Sequence, residues 1–198
     1  MSKALKIILF LFLSSPLFSQ TSIEDFTWHY YGTENDCINL NELIQLFYNQ
    51  KYDEYRIGNR FERSSFDSLS GLNKKEVRYA NTKCLPGCNC TFSESTEKKQ
   101  LSIVLVKSSN PLEVTSHFSP AVEQMAKCLG ADWDNHGTTA DELEMRSKNA
   151  KRKFINEYVF TYLLNNKLLL KYPTIKVIAY MDKATNEYVV EINFLSAN

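Results

Sequence analysis

The chain has 198 residues, with 23 Lys and Arg set against 23 Asp and Glu, so it carries no formal net charge at pH 7. That balance argues against a protein whose main task is to grip nucleic acid or an anionic membrane, since both call for a net basic surface. The length suits one domain, able to bury about 70% of its unfolded surface without covalent help.

The first residues read as a targeting segment. Lys3 and Lys6 precede the apolar run Ile7 to Leu13, and Ser14 to Ser19 breaks that run toward a small residue. This is the layout of a secretory signal peptide over residues 1–19, with cleavage expected after Ser19. The apolar run falls short of the roughly 20 residues a spanning helix needs. The remainder, Gln20 to Asn198, is expected to form a single α+β domain, exported to the periplasm or beyond the cell, with no membrane span of its own.

In chain order, Ile23 to Gly32 carries Phe26, Trp28, Tyr30 and Tyr31, a short strand or an aromatic arm. Trp28, Tyr30 and Tyr31 form a candidate binding surface. Aromatics make up 13% of the chain, an excess that suits a sugar- or partner-binding surface and also follows from base composition. Asn39 followed by Glu42 predicts a helix start, and Leu40, Leu43, Ile44, Phe47 and Tyr48 give that helix one apolar face to about Gln50. From Lys51 to Lys83 the pattern weakens, predicting loops with a short strand near Val77 to Ala80.

Cys88 to Ser95 and Leu101 to Lys107, joined through Thr96 to Lys99, predict a β-hairpin. The second of these strands is apolar on both faces, which places it centrally in a sheet. Ser119 and Pro120 predict the start of a second helix that Gly130 ends. Thr139 to Glu142 is a capping box for a third helix, with Phe154, Ile155, Tyr158, Val159, Tyr162 and Leu163 as its buried stripe. Pro173 breaks the chain. Ile175 to Met181 and Tyr188 to Leu195 then flank Lys183 to Asn186 as a second hairpin, with Val190, Ile192 and Phe194 opposing Ile175, Val177, Ala179 and Met181. The expected fold is therefore α+β: a mostly antiparallel sheet built from two hairpins, with about three helices packed on one face.

The densest chemistry is in the cysteines. Export implies an oxidising compartment, where Cys37, Cys84, Cys88, Cys90 and Cys128 are disulfide candidates. There are five of them, so at least one is unpaired or bridges to another molecule. Cys88, Cys90 and Phe92 share a strand parity. Side chains two apart on a strand stand about 6.5–7 Å apart, too far for a disulfide, so Cys88 and Cys90 should not bond each other. A metal site would draw on Cys84, Cys88 and Cys90, with His117 or Met125 as fourth ligand, although Cys-x3-Cys-x-Cys is not the paired spacing of zinc sites.

Other motifs are weaker. Asp132 to Gly137 matches three positions of a calcium loop, but His136 and Leu143 occupy ligand positions that need oxygen, so a turn explains it better. Arg146, Lys148, Lys151, Arg152 and Lys153 read as a solvated basic face of the third helix. Asn89-Cys90-Thr91 is a glycosylation sequon with Asn89 facing outward. No nucleophile elbow, paired-histidine metal motif or P-loop is present. The reading is an exported, cofactor-free, non-catalytic binding module for a protein or a surface glycan. The alternatives are a metal-handling protein using the cysteine cluster and a hydrolase without a familiar motif.

Overall fold

The structure, a computed structural model, describes residues 34–67, 72–82, 84–85, 87–148, 150–165, 167–169 and 171–197. The signal peptide expected over residues 1–19 and the aromatic residues Trp28, Tyr30 and Tyr31 lie outside them. The described helices are α1 (Glu34–Tyr48), α2 (Pro111–Leu129) and α3 (Ala140–Lys148), with a short 3-10 turn at Tyr52–Tyr55. The strands are β1 (Asn59–Asp67), β2 (Leu72–Ala80), β3 (Asn89–Ser95), β4 (Lys98–Ser108), β5 (Trp133–Gly137), β6 (Arg152–Leu164), β7 (Lys167–Leu168), β8 (Thr174–Asp182) and β9 (Glu187–Ala197). They form one sheet in the order β1-β2-β3-β4-β9-β8-β6-β5, with β7 pairing off β6. Every pairing is antiparallel, and the fold is α+β.

Strand alternation decides what each face of this sheet carries. Leu101, Ile103 and Leu105 of β4 are buried on one face, here the front. Across β8 and β9, Ile175 pairs with Phe194, Val177 with Ile192 and Ala179 with Val190, continuing the same apolar surface. Leu40, Leu43, Ile44 and Phe47 of α1, and Val114, Phe118, Ala121 and Met125 of α2, close the core over it. Full burial of such side chains stabilises by about 1.5–3 kcal/mol each, so this face dominates folding. Phe92 on β3 anchors the 3-10 turn, with its ring centroid 6.0 Å from that of Tyr52 and 5.3 Å from that of Tyr55.

The helical layer is not all on that face. Glu157 of β6 pairs across the sheet with Ile178, the parity opposite to Ile175 and Val177. Arg146 of α3 bonds Glu157, so α3 lies over the reverse face while α1 and α2 cover the front. The capping box starts α3 as expected: Thr139 N–H donates to Glu142 Oε2 at 3.1 Å, and Glu142 N–H donates to Thr139 Oγ1 at 3.4 Å.

The third helix is much shorter than its apolar spacing predicts. Phe154, Ile155, Tyr158, Val159, Tyr162 and Leu163, expected as its buried stripe, lie on β6 instead. Aromatic and β-branched residues favour the pleat, and because apolar residues of β6 fall on both of its faces, they also satisfy a helical repeat. The break after α3 is fixed from outside: Lys183 Nζ donates to the carbonyls of Ser147 and Ala150 at 2.6 and 2.9 Å. The Ser147 carbonyl is one of the helix-end carbonyls that lack partners within the helix, and that of Ala150 lies just beyond the helix end.

Three other expectations are corrected. The second helix starts at Pro111, with Asn110 Oδ1 accepting from Leu112 N–H at 3.0 Å, and Pro120 lies inside it. The first helix begins at Glu34, leaving Asn39 within it. The weak region 51–83 contains the long hairpin β1–β2. Gly58 introduces that hairpin at φ 89°, where a Cβ would collide with the Ala80 carbonyl oxygen.

One buried group opposes stability. The side-chain amide nitrogen and oxygen of Gln124 on α2 are both buried without a hydrogen-bond partner among the described residues. Replacing Gln124 by Met, similar in shape and free of amide desolvation, is expected to raise stability by about 1–2 kcal/mol. Urea unfolding reads this directly, and a lower midpoint for Q124M would show that the amide is satisfied.

Candidate functional site

The reverse face holds the polar chemistry. One register row runs Phe61, Arg78, Ser93, Gln100, Leu195, Thr174 through β1, β2, β3, β4, β9 and β8. Adjacent strands lie about 4.8 Å apart, so the row spans on the order of 24 Å. The next row runs Thr91, Ser102, Asn193, Lys176, Val159. Thr91, Ser93, Gln100, Ser102 and Lys176 are half-exposed, and α3 meets this face at β6, beyond one end of the rows' central strands.

Buried Asn193 holds the middle in place. Gln100 Nε2 and Ser102 Oγ donate to its Oδ1 at 2.9 and 2.6 Å, and its own Nδ2 donates to Glu191 Oε1 at 2.9 Å. Glu191 also accepts from Arg152 Nη1 at 2.7 Å and from the Tyr180 hydroxyl at 3.1 Å. A similar cluster surrounds Glu157, which accepts from Arg146 Nη1 and Nη2 at 2.7 and 2.8 Å, Lys176 Nζ at 3.2 Å and Thr138 Oγ1 at 3.0 Å. In both clusters a guanidinium also covers an aromatic ring, Arg146 over Phe154 at 4.3 Å and Arg152 over Tyr180 at 4.1 Å.

These pairs point their charges unequally. The carboxylate side chains of Glu157 and Glu191 are each 2% exposed, while Arg146, Arg152 and Lys176 are 38, 40 and 26% exposed. Solvent therefore meets the cations, with the compensating carboxylates beneath them. Burial pushes the Glu157 carboxyl up, but Arg146, Lys176 and Thr138 outweigh it and hold the group below its usual 4.5. A carboxylate so saturated is a weak base and holds no proton to donate at neutral pH.

Hollows flank the rows. Beside α3, a hollow of about 480 Å³ is lined by His136, Met145, Arg146, Glu157, Thr174 and Lys176, among others. At the far end, a shallow depression of about 360 Å³ is lined by Phe61, Glu62, Arg63, Arg78, Ala80 and Thr91. The Phe61 ring is exposed there. By contrast, the half-exposed rings of Tyr48, Tyr162 and Tyr172 pack on one another, with centroids 4.5 Å apart for the tilted pair Tyr48–Tyr172 and 4.0 Å for the stacked pair Tyr162–Tyr172.

The cysteine cluster lies elsewhere. Cys37 is bonded to Cys128 and Cys84 to Cys90, while Cys88 is free. Cys90 and Phe92 are both buried on the front face. Cys84 and Cys90 thus commit their sulfurs to each other, and burial pushes the remaining Cys88 thiol up to about 11, protonated at neutral pH. Met125 is buried in the core and His117 is half-exposed on α2. Among the described residues, no three His, Cys, Asp or Glu side chains stand where they could share a metal ion.

The remaining motifs are redistributed. Residues 133–137, expected as a turn, form the edge strand β5. The basic run does not share one helix face: Arg146 and Lys148 end α3, whereas Arg152 and Lys153 are successive residues of β6 and project to opposite faces. Asn89 is exposed at the start of β3. Glu157, Glu191 and Asn193 were not among the candidates from sequence. Their signal was the alternation itself: if Val190 and Ile192 face the core, Glu191 and Asn193 share the opposite face. Neither a protein family, nor a curated protein, nor a solved structure matches this chain.

Proposed function

We propose that the protein is an exported, non-catalytic binding module that receives an extended polar chain, a surface glycan, across the reverse face of its sheet. The observation that carries this reading is the row from the exposed Phe61 ring to Thr174, bordered by hollows at both ends. An aromatic face suits the apolar side of a sugar ring. The half-exposed Ser, Thr and Gln side chains suit its hydroxyls, and Gln100 and Ser102 are already oriented by Asn193. Donors and acceptors fixed before binding lose little entropy on association.

Export is part of the proposal. The N-terminal pattern is that of a signal peptide cleaved near Ser19, releasing the chain to the periplasm or the exterior. The two disulfides suit an oxidising compartment. No described helix is long and apolar enough to cross a membrane. A binding role fits the site better than hydrolysis, because the buried carboxylates here are saturated by Arg, Lys, Tyr and Asn donors and none is held in a proton-donating state.

The reading is tested on a glycan array with the purified chain, repeated with Phe61→Ala. Retention of one or more oligosaccharides, weakened by about tenfold in F61A, is the expected result. An array on which nothing is retained, or retention unchanged in F61A, would overturn it.

A further inference from the structure

Resting on that reading, we infer that the glycan this face receives is acidic, bearing carboxylate or sulfate groups along its length. The chain as a whole has no net charge, yet its charges are sorted by depth on this face. Around Glu157 two cations, Arg146 and Lys176, share one buried carboxylate. Lys176 spends one N–H on Glu157, and an ammonium has three to give. Arg146 spends its fork on Glu157 and keeps further N–H groups toward the hollow.

At the opposite end, Arg78 gives one bond among the described residues, Nη2 to Glu76 Oε2 at 3.1 Å, with its side chain 49% exposed. Arg63 lines the same depression beside the Phe61 ring. The acidic residues of the two hollows are already engaged: Glu142 accepts from the backbone and hydroxyl of Thr139, and Glu62 pairs with Arg60 and Lys75. A chain lying along the rows therefore meets cationic groups at both ends and neutral hydrogen-bonding groups between them. Repeated anionic groups with intervening hydroxyls complement that order, whereas a neutral glycan leaves the cations to water. Buried Glu157 makes Arg146 and Lys176 geometrically fixed, so an arriving anion at that end orders little that is not ordered already.

The test is isothermal titration of the purified full chain with a hexamer of galacturonic acid, a sulfated hexasaccharide and neutral maltohexaose, at low and high salt. At least one of the acidic oligomers is expected to bind about tenfold or more tightly than maltohexaose, and high salt is expected to erode that preference. Arg78→Gln combined with Lys176→Gln should abolish the preference, while Lys127→Gln, on the last turn of α2, should leave it intact. Circular dichroism of each variant confirms that it is folded. The uronate and sulfated arms tell which acid is preferred. Equal binding of maltohexaose would overturn the acidic inference and leave the glycan reading standing, and no binding of any hexasaccharide would overturn both. A single-stranded oligonucleotide or phosphatidylglycerol vesicles binding as tightly as the acidic oligomers would replace the glycan with a general polyanion, and equal loss in K127Q would reduce the effect to overall charge.

Discussion

Replacing Cys37 and Cys128 together by serine is expected to destabilise the protein by about 4–5 kcal/mol, whereas replacing Cys84 and Cys90 together should cost only about 2 kcal/mol. The difference follows from chain entropy. The first bridge spans a sequence separation of 91 and the second a separation of 6, and closing the longer loop removes more freedom from the unfolded chain. The longer bridge also ties α1 to α2, the helices that close the core over the front face. Domains of ordinary stability have about 5–15 kcal/mol to lose, so the first double variant should approach the edge of folding. Urea unfolding of both variants reads the comparison. Peptide mapping after alkylation without reductant should label Cys88 alone, as the free thiol. Equal costs for the two variants, or label on Cys37 or Cys128, would contradict the assignment.

Arg146→Ala should cost about 3 kcal/mol. Removing one partner of a buried pair costs about 3–5 kcal/mol, and the low end applies because the Arg146 side chain is 38% exposed while Glu157 retains Lys176 and Thr138. Simultaneous replacement of Arg146 and Glu157 by leucine should recover most of the loss, since the carboxylate no longer needs compensation. The same pair predicts an acid response. The folded carboxyl of Glu157 sits below its usual 4.5, so its contribution is complete above about that pH in the unfolded reference and is lost as pH falls through the lower folded value. Arg146→Ala should therefore lose stability chiefly at neutral pH and show a flatter acid limb. An unchanged acid limb, or a double variant less stable than the single, would sink this account of the pair.

How much of this was legible in the sequence varies by element. The hairpin around Lys183 to Asn186 was legible, because strict alternation on both sides brackets a turn. The separation of Cys88 from Cys90 followed from strand geometry alone. The capping box at Thr139 named the start of α3 but not its end, because no Gly or Pro marks Lys148 and the terminating contact comes from Lys183, distant in sequence. Strand β6 was hidden by its own richness, since Phe154, Tyr158, Val159 and Tyr162 fit a helical repeat while Tyr158, Phe160 and Tyr162 alternate as a strand. Strand β1 and the first half of β2 were hidden for the opposite reason: β1 is an edge strand, and the charged, serine-rich sequence of this hairpin carries little apolar alternation before Val77. The site suffered from both losses. Glu157 lies on a strand where a helix is expected, and Phe61 lies on a strand where a loop is expected, while Arg78 falls within the short strand expected at Val77 to Ala80.

The measurement closest to the central claim is a titration of isotopically labelled protein with the tightest-binding oligosaccharide, followed by nuclear magnetic resonance. The side-chain amides of Gln100 and Asn193 and the backbone amides of Thr91, Ser102 and Lys176 should shift together and saturate at one concentration, while Leu40 of α1 and Phe118 of α2 stay in place. Shifts confined to α1 and α2, with the reverse face silent, would contradict it.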